Sequence, residues 1–215
     1  MSNKASNSFT PVITACALFA LISFVWSASG FFSPTTSRFG EYTPSGIFQE
    51  VAGHVLFGLL VGAFSFDLPL ALVCGASSIL IDLDHSLSAL GFLVLGRTAH
   101  SVIFAIVAGL IVAHTTRPSQ SRPMMSVTIV GSVLSHLSYD AFAGYGIFPI
   151  LAPISFSLYS FPAWTWLGLE VSAMTLVLVT ALKVRRLPLL RIRAPKSDVT
   201  VHMIKGIRWA ICLIT

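Results

Sequence analysis

Charged side chains are scarce in this 215-residue chain: Asp, Glu, Lys and Arg together make up 10% of it. An ordinary soluble domain carries about 25%, so too little charge is present to cover a water-exposed surface. Apolar residues instead make up 55% of the chain, and the mean hydropathy is +0.85. This composition excludes a soluble domain and a disordered chain, and it predicts an integral membrane protein.

Cysteine is also rare. The three cysteines, Cys16, Cys74 and Cys212, lie in apolar runs and form no C-x-x-C pair. Such isolated thiols are typical of small buried hydrophobic residues. The sequence therefore implies neither a disulfide framework nor a thiolate metal site.

Basic residues outnumber acidic ones and are concentrated in one part of the chain. Net charge is +5, from 13 Lys and Arg against 8 Asp and Glu, and most of the basic residues lie in 183–208. The positive-inside rule explains such a cluster as a cytoplasmic segment of a membrane protein. No nucleic-acid partner is therefore expected.

Six apolar runs could each cross a bilayer, which needs about 20 residues per helix. They are residues 11–28, 47–66, 68–82, 101–115, 124–142 and 163–182. Asp67 and Pro69 begin the third run as a helix cap and a first-turn proline, so runs two and three form a hairpin. Small residues four apart recur on both: Gly58 and Gly62, then Ala71 and Gly75. This spacing predicts close helix packing.

The basic residues also orient the runs. With 183–215 placed in the cytoplasm, the loops at 29–46, 83–100 and 143–162 lie outside. Eleven Lys and Arg are then inside and two, Arg38 and Arg97, outside. The apolar runs predict an all-α, polytopic transmembrane helical bundle of about six spans, and the positive-inside rule predicts that both termini are cytoplasmic.

Three regions follow from this topology. Residues 1–46 supply the first span and an outer loop, residues 47–182 a five-span bundle, and residues 183–215 a basic cytoplasmic tail. The first run has a second interpretation: Ser27-Ala28-Ser29 resembles the cleavage site of a signal peptide. Cleavage there would leave five spans in the same orientation.

Seven ionisable residues lie in the outer third of the predicted membrane region or just above it. They are His54, Asp82, Asp84, His85, His100, His136 and Asp140. Ionisable groups within a membrane are costly and usually functional. Their common depth on four different runs predicts one shared site rather than separate helix contacts.

The local spacings in this set fit metal ligation. His136 and Asp140 are one helical turn apart on one face, and Asp82 and His85 are three residues apart. Imidazole and carboxylate ligands suit Zn²⁺, with Mn²⁺ and Fe²⁺ as alternatives. Seven donors exceed the needs of one catalytic zinc, so the sequence leaves open one ion with acid/base partners or two ions with a bridging carboxylate.

The same residues lie in a series of short motifs: GHVLFG at 53–58, IDLDH at 81–85, RTAHS at 97–101, and SHLSYD at 135–140 before a Gly- and Pro-rich stretch ending in Pro149. In order and spacing, residues 50–155 resemble the membrane-bound metal-dependent hydrolases. These are bacterial and archaeal inner-membrane proteins whose best-known members are LexA-regulated. The resemblance implies a helical membrane protein with hydrolase activity.

The family pattern falls on the seven ionisable residues and on Ser101. One motif departs from it. The family usually has His-Arg-Gly before Thr-His-Ser, whereas this chain reads Gly96-Arg97-Thr98-Ala99-His100-Ser101 and lacks the first histidine. A ligand or proton relay at that first position is therefore not implied here.

Other polar residues have predicted supporting roles. Asp84 is expected to be a bridging ligand or general base. Arg97 is expected either to stabilise developing negative charge or to contact lipid headgroups. Ser101 and Ser135 are expected to orient neighbouring histidines. Glu170 is expected to be hydrogen-bonded within the bundle, with a role as general acid/base as the alternative.

The leading functional hypothesis is a hydrolase that acts on an ester or phosphoester at the outer membrane face, where a lipid-linked substrate is one candidate. A metal or proton transporter is the main alternative, but transport needs polar groups along the path, and the inner halves of these runs have almost none. A non-catalytic protein with a structural metal site is a third. The oligomeric state stays open.

Overall fold

A computed structural model describes residues 9–29, 44–83, 97–118 and 121–192, with residues 44–45 and 186–192 as backbone only. All six apolar runs are helical. The helices are α1 (Thr10–Ser27), α2 (Pro44–Ala63), α3 (Leu68–Leu80), α4 (Val102–Thr116), α5 (Arg122–Ala143) and α6 (Thr165–Ile192). The all-α prediction is thus confirmed for the described residues. The chain divides into two units, residues 1–182 and 183–215.

The helices differ in their fitness to cross a membrane. Helices α1, α2 and α6 each contain a segment long and apolar enough to span a bilayer, whereas α3 and α4 are apolar but shorter. Helix α5 has 22 residues but carries many polar side chains. The structure therefore supports a membrane protein with three helices that could span a bilayer by their length and composition. The six-span topology stays a prediction.

Helix α5 is the centre of the bundle. It packs against α2, α3 and α4, while α1 packs against α3 and α4. More than half of its residues are buried, including Ser132, Ser135 and Ser138. Because its neighbours shield it, this helix can carry polar groups that a lipid-facing helix could not.

The predicted hairpin of α2 and α3 is present. The Asp67 carboxylate accepts a hydrogen bond from the Leu70 amide at 3.1 Å and so caps α3. The two backbones approach closely, because a Cβ atom added at Gly62 would lie 2.6 Å from the Ala71 Cα. One added at Gly58 would lie 2.8 Å from the Cys74 carbonyl oxygen. The small-residue spacing thus serves helix packing.

Residues 144–164, between α5 and α6, form what we call the cap segment. Gly144 ends α5 with a φ of 94°, a left-handed conformation that favours glycine. Two short antiparallel strands follow, β1 (Ile147–Phe148) and β2 (Tyr159–Ser160). The sequence predicted only an irregular loop here. The Ile150 carbonyl accepts from the Val102 amide at 3.1 Å, which ties the cap segment to α4.

Helix α1 is joined to the segment that precedes α4. The Trp26 indole N–H donates to the Thr98 carbonyl at 3.1 Å, and the Thr98 hydroxyl donates to the Trp26 carbonyl at 3.2 Å. Phe104 packs against both Trp26 and Phe19. The first helix therefore positions residues 97–101, which contain three of the predicted site residues.

Candidate metal centre

Four parts of the fold bring the predicted site residues together. His54 comes from α2, and Asp82 follows α3 directly. Arg97 and His100 lie just before α4, and the last two, His136 and Asp140, come from one face of α5. We call these six residues and Glu50 the polar cluster.

The imidazoles and aspartates of the polar cluster converge on one point. Each Nε2 atom of His54, His100 and His136 lies 3.4–3.5 Å from a carboxylate oxygen of both Asp82 and Asp140. The Nε2 atoms of His100 and His136 are 2.8 Å apart. The rings also stack, with 4.0 Å between the centroids of His54 and His136. The predicted shared site therefore exists as a geometric cluster.

The cluster is almost completely buried. The three histidines and Asp140 are at most 2% exposed, and Asp82 is 16% exposed. Burying an unpaired carboxylate is very unfavourable, so these groups must compensate one another or hold a cation. Asp82 is thus the least buried of these five groups.

A backbone carbonyl fixes the orientation of His136. Its Nδ1 atom lies 2.7 Å from the Ser78 carbonyl oxygen. Since a carbonyl can only accept, Nδ1 carries the proton, and the neutral ring then directs the Nε2 lone pair into the cluster. Metal-bound histidines in proteins almost always have such a partner on the other ring nitrogen.

Glu50 is a member that the sequence analysis missed. Its Oε2 atom lies 3.6 Å from the His54 Nε2 atom, one turn further along α2. Glu50, His54 and Asp140 together could hold a metal ion, as could His54 with Asp82 and His136, or His100 with His136 and Asp140. The Glu50-x-x-x-His54 spacing repeats that of His136 and Asp140 and could have revealed it.

Arg97 supplies the positive charge of the cluster. Its Nη2 atom donates to Asp140 Oδ2, and its Nη1 atom donates to the Tyr145 carbonyl at 3.3 Å. The guanidinium carbon also lies 5.6 Å from the centre of the Phe148 ring. Arg97 therefore orients Asp140 and joins the cluster to the cap segment. Its predicted role in stabilising developing charge is not tested by this geometry.

Tyr139 packs against the imidazole ring of His54. The two rings pack edge to face at 4.6 Å, and the Tyr139 hydroxyl donates to the Gln49 carbonyl at 3.1 Å. A Cβ atom at position 53 would overlap the Tyr139 ring, so Gly53 is needed for this contact. No sequence pattern indicates this pair.

Ser101 and Ser135 have contacts that differ from the predicted ones. The Ser101 hydroxyl accepts from the Phe104 amide at 3.0 Å and donates to the Ala152 carbonyl at 2.9 Å, so Ser101 caps α4 rather than orienting His100. Ser135 and Ser138 face the Glu170 carboxylate. That carboxylate is buried, but within the described part of the chain its contacts do not have hydrogen-bond geometry. Asp84 and His85 lie outside the described residues.

The donors suit a divalent metal ion in charge and spacing. With neutral imidazoles, three carboxylates and one guanidinium leave two negative charges among the described members. Two donors held about 2.1 Å from one ion at a tetrahedral angle lie about 3.4 Å apart. The observed imidazole-to-carboxylate separations of 3.4–3.5 Å match this value and exceed those of ordinary hydrogen bonds.

The comparisons with known proteins concern the same part of the chain. The family model described as "YdjM inner membrane protein" matches residues 49–213, which include the whole polar cluster. No curated protein and no solved structure matches the chain. The match covers well over half of the sequence and agrees with the predicted inner-membrane location. The chain therefore belongs to the YdjM inner membrane protein family.

Proposed function

We propose that this protein is a membrane-embedded, metal-dependent hydrolase. The observation that carries the proposal is the convergence of three imidazole Nε2 atoms on two aspartates at 3.4–3.5 Å in a buried cluster. Such a donor set is typical of zinc, with manganese and iron as alternatives and one or two ions as the expected content. The expected substrate is an ester or a phosphoester.

The metal ion would act as a Lewis acid and make water a nucleophile near neutral pH. The residues of the chain prepare the site for it. Ser78 sets the tautomer of His136, Tyr139 supports the ring of His54, and Arg97 holds Asp140 while keeping a positive charge at the rim. That positive charge would stabilise an oxyanion in the transition state.

The proposed site is displaced toward one membrane surface. Glu50 is in the first half of α2 and His54 is at its midpoint, whereas His136 and Asp140 are in the last third of α5. The positive-inside rule assigns this surface to the outer face, with both termini cytoplasmic. A hydrolase at that surface could reach lipid-linked or extracytoplasmic substrates.

The test combines metal analysis with hydrolysis of a generic phosphoester and a carboxylic ester. Wild type is compared with His136→Ala and with His114→Ala, a matched control at the exposed end of α4. We expect His136→Ala to lose bound metal and turnover together, and His114→Ala to keep both. Equal metal content in wild type and His136→Ala would contradict the ligand assignment. Metal without hydrolysis of either ester in wild type would favour a structural site.

Arg97→Lys separates charge stabilisation from metal binding. Lysine keeps the charge but lacks the planar fork, so we expect metal content to be retained and turnover to fall about tenfold. Arg117→Lys, at the end of α4 away from the cluster, is the control and should turn over normally. Normal turnover in Arg97→Lys would show that Arg97 does not stabilise charge in the transition state, and it would leave the assignment of the metal ligands unaffected.

A further inference from the structure

The cap segment and its flanks form a long stretch without any ionisable residue. From Ala141 to Leu169 the sequence contains no Asp, Glu, Lys, Arg or His. The loop at 117–122 is far shorter and yet has two arginines. A non-helical segment of this length on a water-exposed surface normally carries charges, because solvated loops are polar.

Many apolar side chains of the cap segment point away from the protein. Ile154 is 82% exposed and Trp164 is 75% exposed. Further exposed apolar residues are Ile147, Leu151 and Leu158. Exposed apolar side chains grouped in one short segment form a patch that is typical of a surface in contact with lipid or a partner, and Trp and Tyr are enriched where protein meets the lipid headgroups.

This patch continues the lipid-facing surface of the neighbouring helices. Phe142, near the end of α5, and Leu167, near the start of α6, are both more than half exposed. These helices belong to a membrane protein, so their exposed apolar residues face lipid. The backbone of the cap segment is also largely paired internally, for example by the Phe161 amide on the Gly146 carbonyl at 2.7 Å. Irregular backbone near a bilayer requires such pairing.

The inner side of the cap segment contacts the polar cluster. The ring of Phe148 lies parallel to that of His100 with 6.2 Å between centroids, and the Tyr145 carbonyl accepts from Arg97. One segment therefore has an apolar side open to lipid and an opposite side against the candidate metal centre.

We infer that the cap segment lies in the lipid headgroup region and that the substrate is an amphiphile taken from the bilayer. Its ester or phosphoester would reach the cluster, while its hydrocarbon chain stays among lipid beside Ile154 and Leu158. The substrate class rests on the proposed hydrolase function. The contact of the cap segment with lipid does not.

The lipid contact is tested with nitroxide labels on full-length protein in vesicles of phosphatidylethanolamine and phosphatidylglycerol. The background carries Cys16→Ala, Cys74→Ala and Cys212→Ala, and one label is placed by Ile154→Cys. Two reference labels are placed by Leu110→Cys, on the exposed middle of α4, and by Pro118→Cys, in the polar loop. Relaxation by dissolved oxygen reports lipid, and relaxation by a water-soluble nickel chelate reports water.

We expect the oxygen-to-nickel relaxation ratio of the Ile154 label to lie well above that of the Pro118 label and below that of the Leu110 label, because the headgroup region is partly hydrated. A label at 154 that resembles the one at 118 would overturn the inference. Metal content of each labelled protein is measured alongside, so that a collapsed cluster is recognised and the label moved to Leu158→Cys. An unchanged water-like result at both positions would be decisive against lipid contact.

The substrate class is tested by comparing a long-chain phosphoester in vesicles with its short-chain, water-soluble analogue. In Ile154→Asp/Leu158→Asp, we expect the ratio of long-chain to short-chain turnover to fall about tenfold or more, because remote apolar contacts contribute to rate. An unchanged ratio would overturn the amphiphile. If metal-loaded wild type hydrolyses neither compound, the proposed function fails instead, while the label result still decides the lipid contact.

Discussion

Helices α2 and α3 meet at two ends, and the two contacts are chemically opposite. At the turn end, the two backbones touch through Gly58, Gly62 and Ala71, and these contacts involve no ionisable side chain. At the cluster end, His54 of α2 faces Asp82 beyond α3, and residues of α5 and of the segment before α4 approach them. One pair of helices thus has closely packed apolar contacts near one end and a polar cluster near the other.

The difference suggests that one end of the hairpin serves folding and the other serves metal binding. Close apolar packing fixes the angle and spacing of two helices at low electrostatic cost. Buried ionisable groups contribute little net stability and a large penalty when one partner is removed. We therefore expect substitutions at the turn end to affect folding, and substitutions at the cluster end to affect metal binding first.

The largest expected effect is at the turn end. Gly62→Leu places a side chain where even a Cβ atom would lie 2.6 Å from Ala71 Cα. Overpacking of this kind costs about 3 kcal/mol, so the free energy of unfolding should fall by about that amount, measured as a lower midpoint of thermal unfolding and a lower detergent-solubilised yield. Gly168→Leu is the matched control, because a Cβ atom at that position meets nothing within 4 Å. Equal stability of the two variants would contradict the packing role.

The second expected effect is at the cluster end. Asp140→Asn keeps the shape of the side chain but removes the charge that Arg97 and the metal require. Metal affinity should fall about 100-fold or more, whereas thermal unfolding in the absence of metal should change little, because Asp82 and Glu50 still offset the charge of Arg97. Asp67→Asn is the control, since Asn caps a helix as well as Asp does. Isothermal titration with Zn²⁺ measures both, and wild-type affinity in Asp140→Asn would break the comparison.

A smaller effect is expected for Glu50, which lies at the rim of the cluster. Glu50→Gln removes one of three carboxylates and should weaken Zn²⁺ binding about tenfold. The neighbouring Gln49 contributes only its backbone carbonyl to the site, so Gln49→Ala is the control. If Glu50→Gln binds Zn²⁺ as tightly as wild type does, Glu50 does not contribute to metal binding.

The smallest expected effect concerns the tie between α1 and the segment before α4. Trp26→Phe keeps the aromatic contact with Phe104 but loses the hydrogen bond to the Thr98 carbonyl. This should lower the free energy of unfolding by about 1 kcal/mol without changing metal content. Trp164→Phe, at an exposed position, should leave stability unchanged. An equal loss in both variants would remove the special role of Trp26.

The helices and most of the polar cluster could be predicted because both depend on a strong sequence signal. Apolar runs set the helix bounds, and ionisable residues within such runs are rare enough to stand out. Glu50 was missed because it is near the edge of its run, where a carboxylate at the membrane surface is ordinary. Ser78 contributes a backbone carbonyl, and no side-chain pattern can indicate that.

Local side-chain roles were harder to predict than positions. Ser101 precedes α4 and caps it, because a serine hydroxyl at that place can accept from an amide three residues later. Its neighbour in sequence, His100, led to the prediction that it orients the imidazole. The β1–β2 pair and the cap segment depend on contacts with α4 that are distant in sequence, which periodicity does not show.

The central position of α5 has a consequence for how the protein is made. During synthesis the helices emerge in chain order, so His54 and Asp82 reach the membrane before His136 and Asp140 exist. Until α5 is inserted, these polar groups of the hairpin lack the partners that compensate their burial. Assembly of the site is therefore the late step of biogenesis, and a nascent chain truncated before α5 should be retained by the insertion machinery or degraded.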